Sequence, residues 1–529
     1  MLAALAAAIS IGAAAPPPPP PPRPLWDQLE SGRYAVGFTS TYVFDKSREW
    51  RVTRPFGKPF TPDTAGRPIR IDIWYPALVR PGAKPMRFGD YLKVSGGPAF
   101  ADYDRQVHGR DELLAELAVA PDSAAQLQRL LQTPVPAYAH ASPAKTKFPL
   151  VFWIGGQNDD LQSGSVMAEF LASRGYVVAE VALQGRVASQ PTLRRRAPDI
   201  ETTVRDYEFA WSVLRRDPRV DPARLSLIGY SLGGIEAVLF ADRNQDASAV
   251  IALDGTYGFQ GAGDVLTSFY DYDPSRMRAA MFDLRKAAGE QDTVLDLSPL
   301  AAMRYADRYQ VTVTRMHHSD FTSFATIAPK FGIGSEPDAT DVARGWSRAT
   351  GAVGFQAVNR IVVAFLDLQF KPSPEARPRF EAAVQRAPGG KLEIEPAAEA
   401  PPSPTDYVTL IRAKGFDATV ALVARLRAAA PADAVVVDWA PLNNLAYDLL
   451  AQKDFTAAIA IFRLAAAAFP TYADAADSLG DGYRVTGDKA RAKAAYEHAV
   501  ALVASDARYK SESDKKTFVK DEESKIKAL

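Results

Sequence analysis

The stretch Arg224-Leu-Ser-Leu-Ile-Gly-Tyr-Ser-Leu-Gly-Gly234 decides the fold of the chain around it. Leu225 to Ile228 is an apolar run typical of a buried strand, and Ile235 to Phe240 is a helix-forming stretch that follows almost at once. A glycine stands two residues before and two residues after Ser231, where side chains would clash in a sharp turn from strand to helix. The sequence therefore predicts a strand, a tight turn and a helix, with the serine hydroxyl at the apex.

Two later strands are expected to bring an acid and a base to the same edge of the sheet. Ser248 to Leu253 is predicted to return as a strand of about 20 Å, and Asp254 follows it directly. A third strand, Tyr309 to Thr314, leads into His317 and His318. Since the carboxyl ends of parallel strands lie at one edge, a serine, an aspartate and a histidine appear in an order that suits serine acyl transfer.

Three motifs carry a family resemblance: Gly229-Tyr-Ser-Leu-Gly-Gly234, Ile251-Ala-Leu-Asp-Gly255 and His318-Ser-Asp-Phe321. They resemble the corresponding segments of platelet-activating factor acetylhydrolase and of the bacterial hydrolases grouped with it and dienelactone hydrolase. In that group the acid directly follows the strand after the nucleophile helix, as Asp254 does here. Dienelactone hydrolase itself uses a cysteine nucleophile, whereas this chain has no cysteine.

The resemblance implies an α/β-hydrolase fold, a mostly parallel doubly wound sheet, followed here by an all-α region. It implies ester hydrolysis with Ser231 as nucleophile and Asp254 as the acid. We favour His318 over His317 as the base, because His318 fits the His-x-x-Phe spacing of the family. His317 is then interpreted as a packing or pocket-lining residue.

A second implied element is the oxyanion hole. Phe148 to Ile154 is a continuous apolar run that predicts a central parallel strand, and it ends in Gly155-Gly156-Gln157. The resemblance implies that the backbone amides of Gln157 and Leu232 bind the oxyanion. The family often has His-Gly where this chain has the glycine pair. A tight loop with no catalytic part is the alternative interpretation of that pair.

The proposed site residues also have ordinary structural interpretations. Ser231 is then a turn serine, and Asp254 caps a following turn. Aromatic side chains after Asp254 could line an acyl pocket or belong to the core: Tyr257, Phe259, Phe269, Tyr270 and Tyr272. Three other histidines are interpreted as surface or packing residues: His108, His140 and His498. The sequence contains no metal-ligand cluster or phosphate-binding glycine loop, so no cofactor is expected.

Strands alternate with helices around the serine, which predicts a parallel sheet covered on both faces. Tyr34 to Phe44 and Ile69 to Tyr75 are β-rich, and the alternation Ile-Arg-Ile-Asp-Ile in the second predicts a half-buried edge strand. Ser163 to Ser173 is predicted to be an amphipathic helix. The other predicted elements are a strand at Tyr176–Ala182, a helix at Ile200–Leu214, a strand at Arg278–Asp283 and a long closing helix at Gly354–Leu368.

Residues 86–146 form a predicted insertion in the sheet. Asp111 to Ala118 and Ser123 to Leu131 have helical periodicity. The insertion is expected either to cap the pocket or to decorate the periphery of the domain, and the sequence leaves both open. With the insertion, the predicted hydrolase domain spans residues 23–371.

The N-terminus resembles a secretory signal. Met1 to Ala15 is a short apolar run that ends in small residues, and seven prolines follow, so residues 1–22 form a signal-like segment. A disordered Ala/Pro tail is the alternative. We expect a secreted or periplasmic protein with no transmembrane segment. With 62 basic and 62 acidic residues, the overall charge offers no case for binding nucleic acid or an anionic membrane.

Residues 372–405 are rich in Pro, Ala and Glu and predict a linker. Residues 406–508 are helical in pattern and repeat with a 34-residue period, for example Trp439 with Ala473 and Ala458 with Ala492. This resembles the tetratricopeptide repeat, which implies a protein or peptide partner. Helices at 406–414 and 417–429 are expected to complete the repeats, and residues 509–529 form a charged tail.

The function that these features favour is a serine hydrolase acting on a small-molecule ester. A peptidase or amidase with the same three residues is the alternative among enzymes. A scaffold, in which the repeats bind a partner and the hydrolase domain is only structural, is the alternative from another class.

Overall fold

A computed structural model describes residues 22–51, 65–108, 123–160, 162–190, 192–290, 293–332, 337–430 and 435–529. The chain divides into two compact units, Met1–Ala398 and Glu399–Leu529. The signal-like run before residue 22 and the predicted helix at Asp111–Ala118 lie outside the described residues.

Eleven strands of the described residues form one sheet in the first unit. In chain order they are β1 (Ala35–Asp45), β2 (Arg67–Leu78), β3 (Ala137–Ala139), β4 (Ser142–Pro143), β5 (Phe148–Ile154), β6 (Val177–Val181), β7 (Val220–Tyr230), β8 (Ala247–Leu253), β9 (Ala280–Lys286), β10 (Arg308–Val313) and β11 (Lys391–Glu395). The order across the sheet is β11-β10-β9-β8-β7-β5-β6-β2-β1-β3, and β4 pairs with β2. Six neighbouring strands of this order run parallel, namely β10, β9, β8, β7, β5 and β6. They are flanked by antiparallel strands, β11 beside β10 and β2 beside β6.

Helices cover both faces of this sheet. They are Phe88–Leu92, Ala101–His108, Ser123–Gln132, Ser165–Ser173, Ala197–Leu214, Gly233–Arg243, Ala262–Thr267, Ser298–Ala302, Phe324–Phe331, Ala339–Ala343, Arg348–Phe370 and Ala376–Gln385. Alternate residues of β5 supply the two cores: Val151 and Trp153 belong to one, Leu150 and Phe152 to the other. A strand with both faces covered needs apolar residues at every position, which is the pattern that Phe148 to Ile154 shows.

The helix Arg348–Phe370 is long and apolar enough to cross a membrane by length and composition. In the structure its apolar stripe packs on the sheet, where Phe365 contacts the rings of Phe282 and Phe380. Burial in a core accounts for its hydropathy, because a helix apolar over most of its surface is typical of a large protein's interior.

The predicted half-buried edge position of β2 is wrong. The strand lies inside the sheet between β1 and β6, and all its residues except Leu78 are buried. Its polar face is closed by the insertion: Arg70 forms a buried ion pair with Asp72 at 2.7 Å, and the Tyr103 hydroxyl accepts from the Arg70 N–H. Because Arg70 and Asp72 neutralise each other, the polar face of β2 can be buried even though its sequence alternates like that of a half-exposed strand.

The predicted amphipathic helix after β5 is buried on all sides, because every residue of Ser165–Ser173 is shielded from solvent. Its one acid, Glu169, accepts hydrogen bonds from the Trp26 indole at 2.8 Å and the Tyr91 hydroxyl at 2.6 Å. Burial raises the pKa of Glu169 to about 7. The N-terminal segment, through Trp26, and the insertion, through Tyr91, thus cover the face of this helix that was predicted to be exposed to solvent.

The predicted linker over residues 372–405 is largely structured. The helix Ala376–Gln385 buries Phe380 in the core, and β11 pairs antiparallel with β10. The division between the two units falls after Ala398 rather than after residue 371. A Pro- and Ala-rich composition concealed the alternation Lys-Leu-Glu-Ile-Glu of a short edge strand.

The second unit is all helical in its described residues, with helices Pro404–Lys414, Phe416–Ala429, Trp439–Ala451, Phe455–Ala468, Ala473–Val485, Lys489–Val503 and Glu512–Lys527. The pair that begins at Ala473 and Lys489 starts 34 residues after the pair at Trp439 and Phe455. Small residues allow close helix packing, since a side chain at Gly480 would overlap the Tyr496 ring. The tail is helical and packs by its Glu522 and Lys525 side chains near Asp477.

Candidate active site

Ser231 lies where β7 ends and the helix Gly233–Arg243 begins. Its φ angle is +53°, a left-handed conformation that is uncommon for a residue other than glycine. A Cβ atom at Gly229 would lie 2.2 Å from the Gly233 carbonyl oxygen, and one at Gly233 would lie 2.2 Å from the Ile154 oxygen. The two flanking glycines are therefore required by the closeness of the backbone, and the strained turn places the serine at the carboxyl edge of the sheet.

Asp254 and His318 meet at that edge. Asp254 directly follows β8, also with a positive φ of 44°, and is completely buried. Its Oδ2 lies 2.6 Å from His318 Nδ1, and its Oδ1 accepts the Lys286 N–H at 3.3 Å. The carboxylate thus has a partner on each oxygen, which fixes its orientation toward the imidazole.

The His318 ring lies between the aspartate and a pair of aromatic side chains. Its centroid is 4.9 Å from the ring of Tyr230, the residue directly before Ser231, and 6.5 Å from the ring of Phe259. The side chain is 36% exposed, so one part of the imidazole faces open space. Tyr230 was not among the sequence predictions, although its place beside the serine is a signal that could have found it.

His317 points to different partners. Its ring stacks on Trp346 at 3.6 Å and 6°, and its Nε2 lies 2.6 Å from Asp341 Oδ1. Asp320 accepts from the His317 N–H and from the Trp346 indole, each at 2.7 Å. We call these four residues the histidine clamp: His317, Asp320, Asp341 and Trp346. The clamp ties the turn that carries His318 to the segment before the helix Arg348–Phe370.

Asp320 is the buried centre of this clamp. Both donors reach the same oxygen, Oδ2, and a side chain at Gly351 would overlap the carboxyl group. Burial raises the pKa of Asp320 above its ordinary range. The sequence placed Asp320 inside the motif after His318 but gave no sign of its partner Trp346, which lies 26 residues further along the chain.

The turn after β5 closes over the serine. A Cβ atom at Gly156 would lie 3.2 Å from the Ser231 Cβ, and the Gly156 N–H donates to Asp159 Oδ2 at 3.2 Å. Gln157 follows in this turn, and Leu232 stands directly before the helix Gly233–Arg243. Neither of their backbone N–H groups donates a hydrogen bond to a residue that the structure describes, although the Gln157 side-chain amide donates to the Leu193 carbonyl oxygen at 3.4 Å.

Most of the aromatic residues considered for an acyl pocket lie elsewhere. Tyr257, Phe269 and Tyr272 pack in or on the core of the sheet face covered by the helix Gly233–Arg243, and Tyr270 is fully exposed. The Tyr257 hydroxyl donates to the buried Asp283 at 2.7 Å. Only Phe259 of the five lies against the His318 ring.

The described residues contain no group of three or more histidine, cysteine or acidic side chains placed to hold a metal ion. The polar groups at this sheet edge are instead the Ser231 hydroxyl, the Asp254 carboxylate, the His318 imidazole and backbone amides. That set can accept a proton from a hydroxyl and donate hydrogen bonds to a developing oxyanion.

Comparisons with known proteins add little to this geometry. No family model and no curated protein matches the chain. It is similar to a solved ferulic acid esterase from Streptomyces cinnamoneus, with 21% sequence identity and a TM-score of 0.43, over 65% of this chain and 94% of that one. The fold class therefore rests on the order of the strands in the sheet and on the strained serine turn. These two features define an α/β-hydrolase fold, and an all-α region follows it, as the sequence predicted.

Proposed function

We propose that the protein is a serine hydrolase that cleaves carboxylic esters of small or medium-sized molecules. The observation that carries this proposal is the 2.6 Å contact between His318 Nδ1 and Asp254 Oδ2 at the sheet edge where Ser231 takes its strained conformation. A buried acid, an imidazole and a serine that follow the carboxyl ends of strands in one sheet, here β8, β10 and β7, are the parts of a catalytic triad. The motif resemblance to the acetylhydrolase group favours the same reaction.

The contact assigns different tasks to the two ring nitrogens. With the Nδ1 proton directed at the Asp254 carboxylate, the lone pair on Nε2 is the one free to take the Ser231 proton. Ser231 Oγ then attacks the ester carbonyl carbon. His318 returns the proton to the alcohol oxygen as the C–O bond breaks, and water hydrolyses the acyl-enzyme by the same exchange.

The negative charge that develops on the carbonyl oxygen needs donors. The backbone N–H groups of Gln157 and Leu232 are proposed for this task. Gln157 follows Gly156, which lies against Ser231, and Leu232 directly follows the serine; neither N–H has a hydrogen-bond partner among the described residues. Each such donor contributes about 3 kcal/mol to transition-state stabilisation. The start of the helix Gly233–Arg243 adds a favourable dipole at the same place.

A comparison of substrates tests the reaction class. We expect the protein to turn over p-nitrophenyl esters of short acyl groups, whereas peptide p-nitroanilides should be hydrolysed at least about 100-fold more slowly. Equal or faster hydrolysis of the anilides would favour a peptidase or amidase. Absence of turnover with both series would contradict the hydrolase proposal.

The histidine clamp is proposed to position His318. In Asp320→Ala, the His317 N–H and the Trp346 indole lose their acceptor, so the turn should loosen and kcat should fall by about 10- to 100-fold, as a displacement of about 1 Å can cause. The measurement is kcat for an activated ester, well below the melting temperature of the variant.

The matched control is Asp320→Asn, whose single carbonyl oxygen can still accept both hydrogen bonds, and its kcat should stay within about threefold of wild type. A lower melting temperature with unchanged kcat in Asp320→Ala would show that the clamp serves stability alone.

The helical repeats are proposed to be of the tetratricopeptide type and to bind a protein or peptide segment rather than to take part in the chemistry. A protein ending at Ala398 keeps β11 and all the proposed catalytic residues. Its kcat on an activated ester is expected within about tenfold of full length, or at most about 1.4 kcal/mol in barrier. A folded but inactive truncated protein would show that the repeats complete the site.

Export across a membrane is also part of the proposal, and it is tested by fractionating cells that express the full sequence.

A further inference from the structure

A cleft of about 630 Å³ lies at the end of the sheet opposite the serine. It is lined by the segment before β1, by the start of β5 at Phe148 and Pro149, and by Gly175 just before β6. Ser231 follows the carboxyl end of β7, whereas these residues stand at the amino ends of the parallel strands. A strand of seven residues spans about 23 Å, so the cleft is separated from the proposed active site by the length of the strands.

The charges lining the cleft are strongly unbalanced. Five basic side chains line it: Arg33, Lys147, Arg174, Arg224 and Lys371. Asp367 is the only acid among the lining residues, and Asp221, which pairs with Arg224 at 2.7 Å, lies just outside. Because the whole chain is neutral, with 62 basic and 62 acidic residues, this excess is a local feature and not a consequence of overall charge.

Two of the five cations are ion-paired, Lys371 with Asp367 and Arg224 with Asp221. The other three have no carboxylate within ion-pair distance among the described residues, so the cleft keeps an excess of positive charge. The Lys371 ammonium lies 2.8 Å from Asp367 Oδ1 and 4.1 Å from the centre of the Tyr176 ring. Burial, with the charges of Arg33 and Arg174, lowers the pKa of Lys371 in spite of that ion pair. Excess positive charge in a partly closed cleft attracts anions, since field lines concentrate there.

Arg174 provides an unused donor. Its Nη2 donates to the Glu30 carbonyl oxygen at 2.8 Å and its guanidinium lies 4.6 Å from the Phe170 ring centre, which fixes the group. Its Nε is buried and has no hydrogen-bond partner among the described residues. A fixed guanidinium that lines the cleft matches the oxygens of a phosphate group through its fork of N–H donors.

A second cavity, of about 440 Å³, continues from the first and shares Arg174 and Asp367 with it. It adds three arginines against one further acid: Arg360, Arg379, Arg386 and Glu375. The positive surface therefore extends beyond one pocket, which suits a ligand with more than one negative charge.

We propose that this cleft is a binding site for a phosphate-bearing anion, separate from the proposed hydrolytic site. The aromatic wall of Tyr34 and Phe148, whose rings meet at 5.2 Å, gives the apolar part of an organic phosphate a surface to contact. A free phosphate compound and the headgroup of an anionic lipid present the same chemistry to the arginines. The cleft recognises that shared group, and experiment separates the two sources.

The test uses the full-length protein with inorganic pyrophosphate in isothermal titration calorimetry, and with sedimented vesicles of phosphatidylglycerol or phosphatidylcholine. The double variant Arg33→Gln/Lys147→Gln removes two exposed cations of the cleft. It should weaken binding by at least about tenfold and should leave hydrolysis of an activated ester unchanged. The control Lys489→Gln/Lys493→Gln removes the same charge from an exposed helix of the second unit, and its binding should stay within about twofold of wild type.

Saturable pyrophosphate binding that the cleft variant loses would support a site for a free phosphate compound. Cosedimentation with phosphatidylglycerol but not phosphatidylcholine, lost in the same variant and without pyrophosphate binding, would support a lipid headgroup. Equal binding by the cleft and control variants would overturn the proposal, because the interaction would then follow overall charge. Absence of binding to both probes would overturn it as well.

Discussion

Ser231→Ala is expected to abolish labelling of the protein by a fluorophosphonate probe and to lower turnover of an activated ester by about 10⁶-fold. The probe reacts only with a hydroxyl whose proton can be removed and whose attack is assisted by nearby donors. Ser231 is the hydroxyl at the strained turn, at the sheet edge shared by Asp254 and His318. Alanine has no oxygen to form the acyl-enzyme, so the covalent route is closed.

The variant should keep its fold, because alanine fits the same turn and meets the same left-handed strain as serine. The matched control is Ser163→Ala. Its hydroxyl is buried and has no hydrogen-bond partner among the described residues, so its loss should change turnover by less than about threefold. Labelling that persists in Ser231→Ala, or disappears in Ser163→Ala, would show that another serine is the nucleophile.

The core of the fold could be predicted from the sequence because its signals are local. The strands from β5 to β10 are separated by helical patterns, and the predicted bounds of each lie within five residues of the observed ones. The glycines around Ser231 also carry a local signal, since the close approach of Gly229 to Gly233 needs no distant partner. The positions of Asp254 and His318 after their strands follow from the same alternation.

The errors arose where polar residues are buried through partners distant in sequence. Glu169 is paired with Trp26, 143 residues away, and a sequence pattern cannot show that such a partner exists. The helix that contains Glu169 was therefore taken as half exposed. Likewise the Arg70 and Asp72 positions of β2 look solvent-facing until the insertion, with Tyr103, closes over them.

In the candidate site, too, features with a local sequence signal could be predicted and contacts between residues distant in sequence could not. Ser231, Asp254 and His318 follow strand ends, so their placement at one edge of the sheet could be predicted. The histidine clamp joins His317 to Trp346 across a loop whose path depends on tertiary packing, so Trp346 and Asp341 carried no local signal. The basic cleft was hidden for a similar reason, because its five cations come from separate segments of a chain that is neutral as a whole.

His318→Ala is expected to lower turnover by about 10⁴-fold or more, whereas His317→Ala should lower it far less, by about tenfold. The two histidines are neighbours in sequence but face different partners. His318 Nδ1 lies 2.6 Å from the buried Asp254, and the His317 ring stacks on Trp346 with its Nε2 at Asp341. Without the His318 imidazole, neither the serine proton nor the proton of the leaving alcohol has a carrier. The measurement is kcat/KM for an activated ester across the pH range of the wild-type enzyme.

His317→Ala serves as the matched control, since it removes the same side chain one residue away and disturbs the clamp without removing the proposed base. Its remaining activity should keep the pH dependence of wild type, because the proposed base is still in place. His318→Ala should lose this dependence together with its rate. If His317→Ala proves the more damaging change at temperatures where both variants are folded, the base is one residue earlier than proposed and the Asp254 contact with His318 is structural.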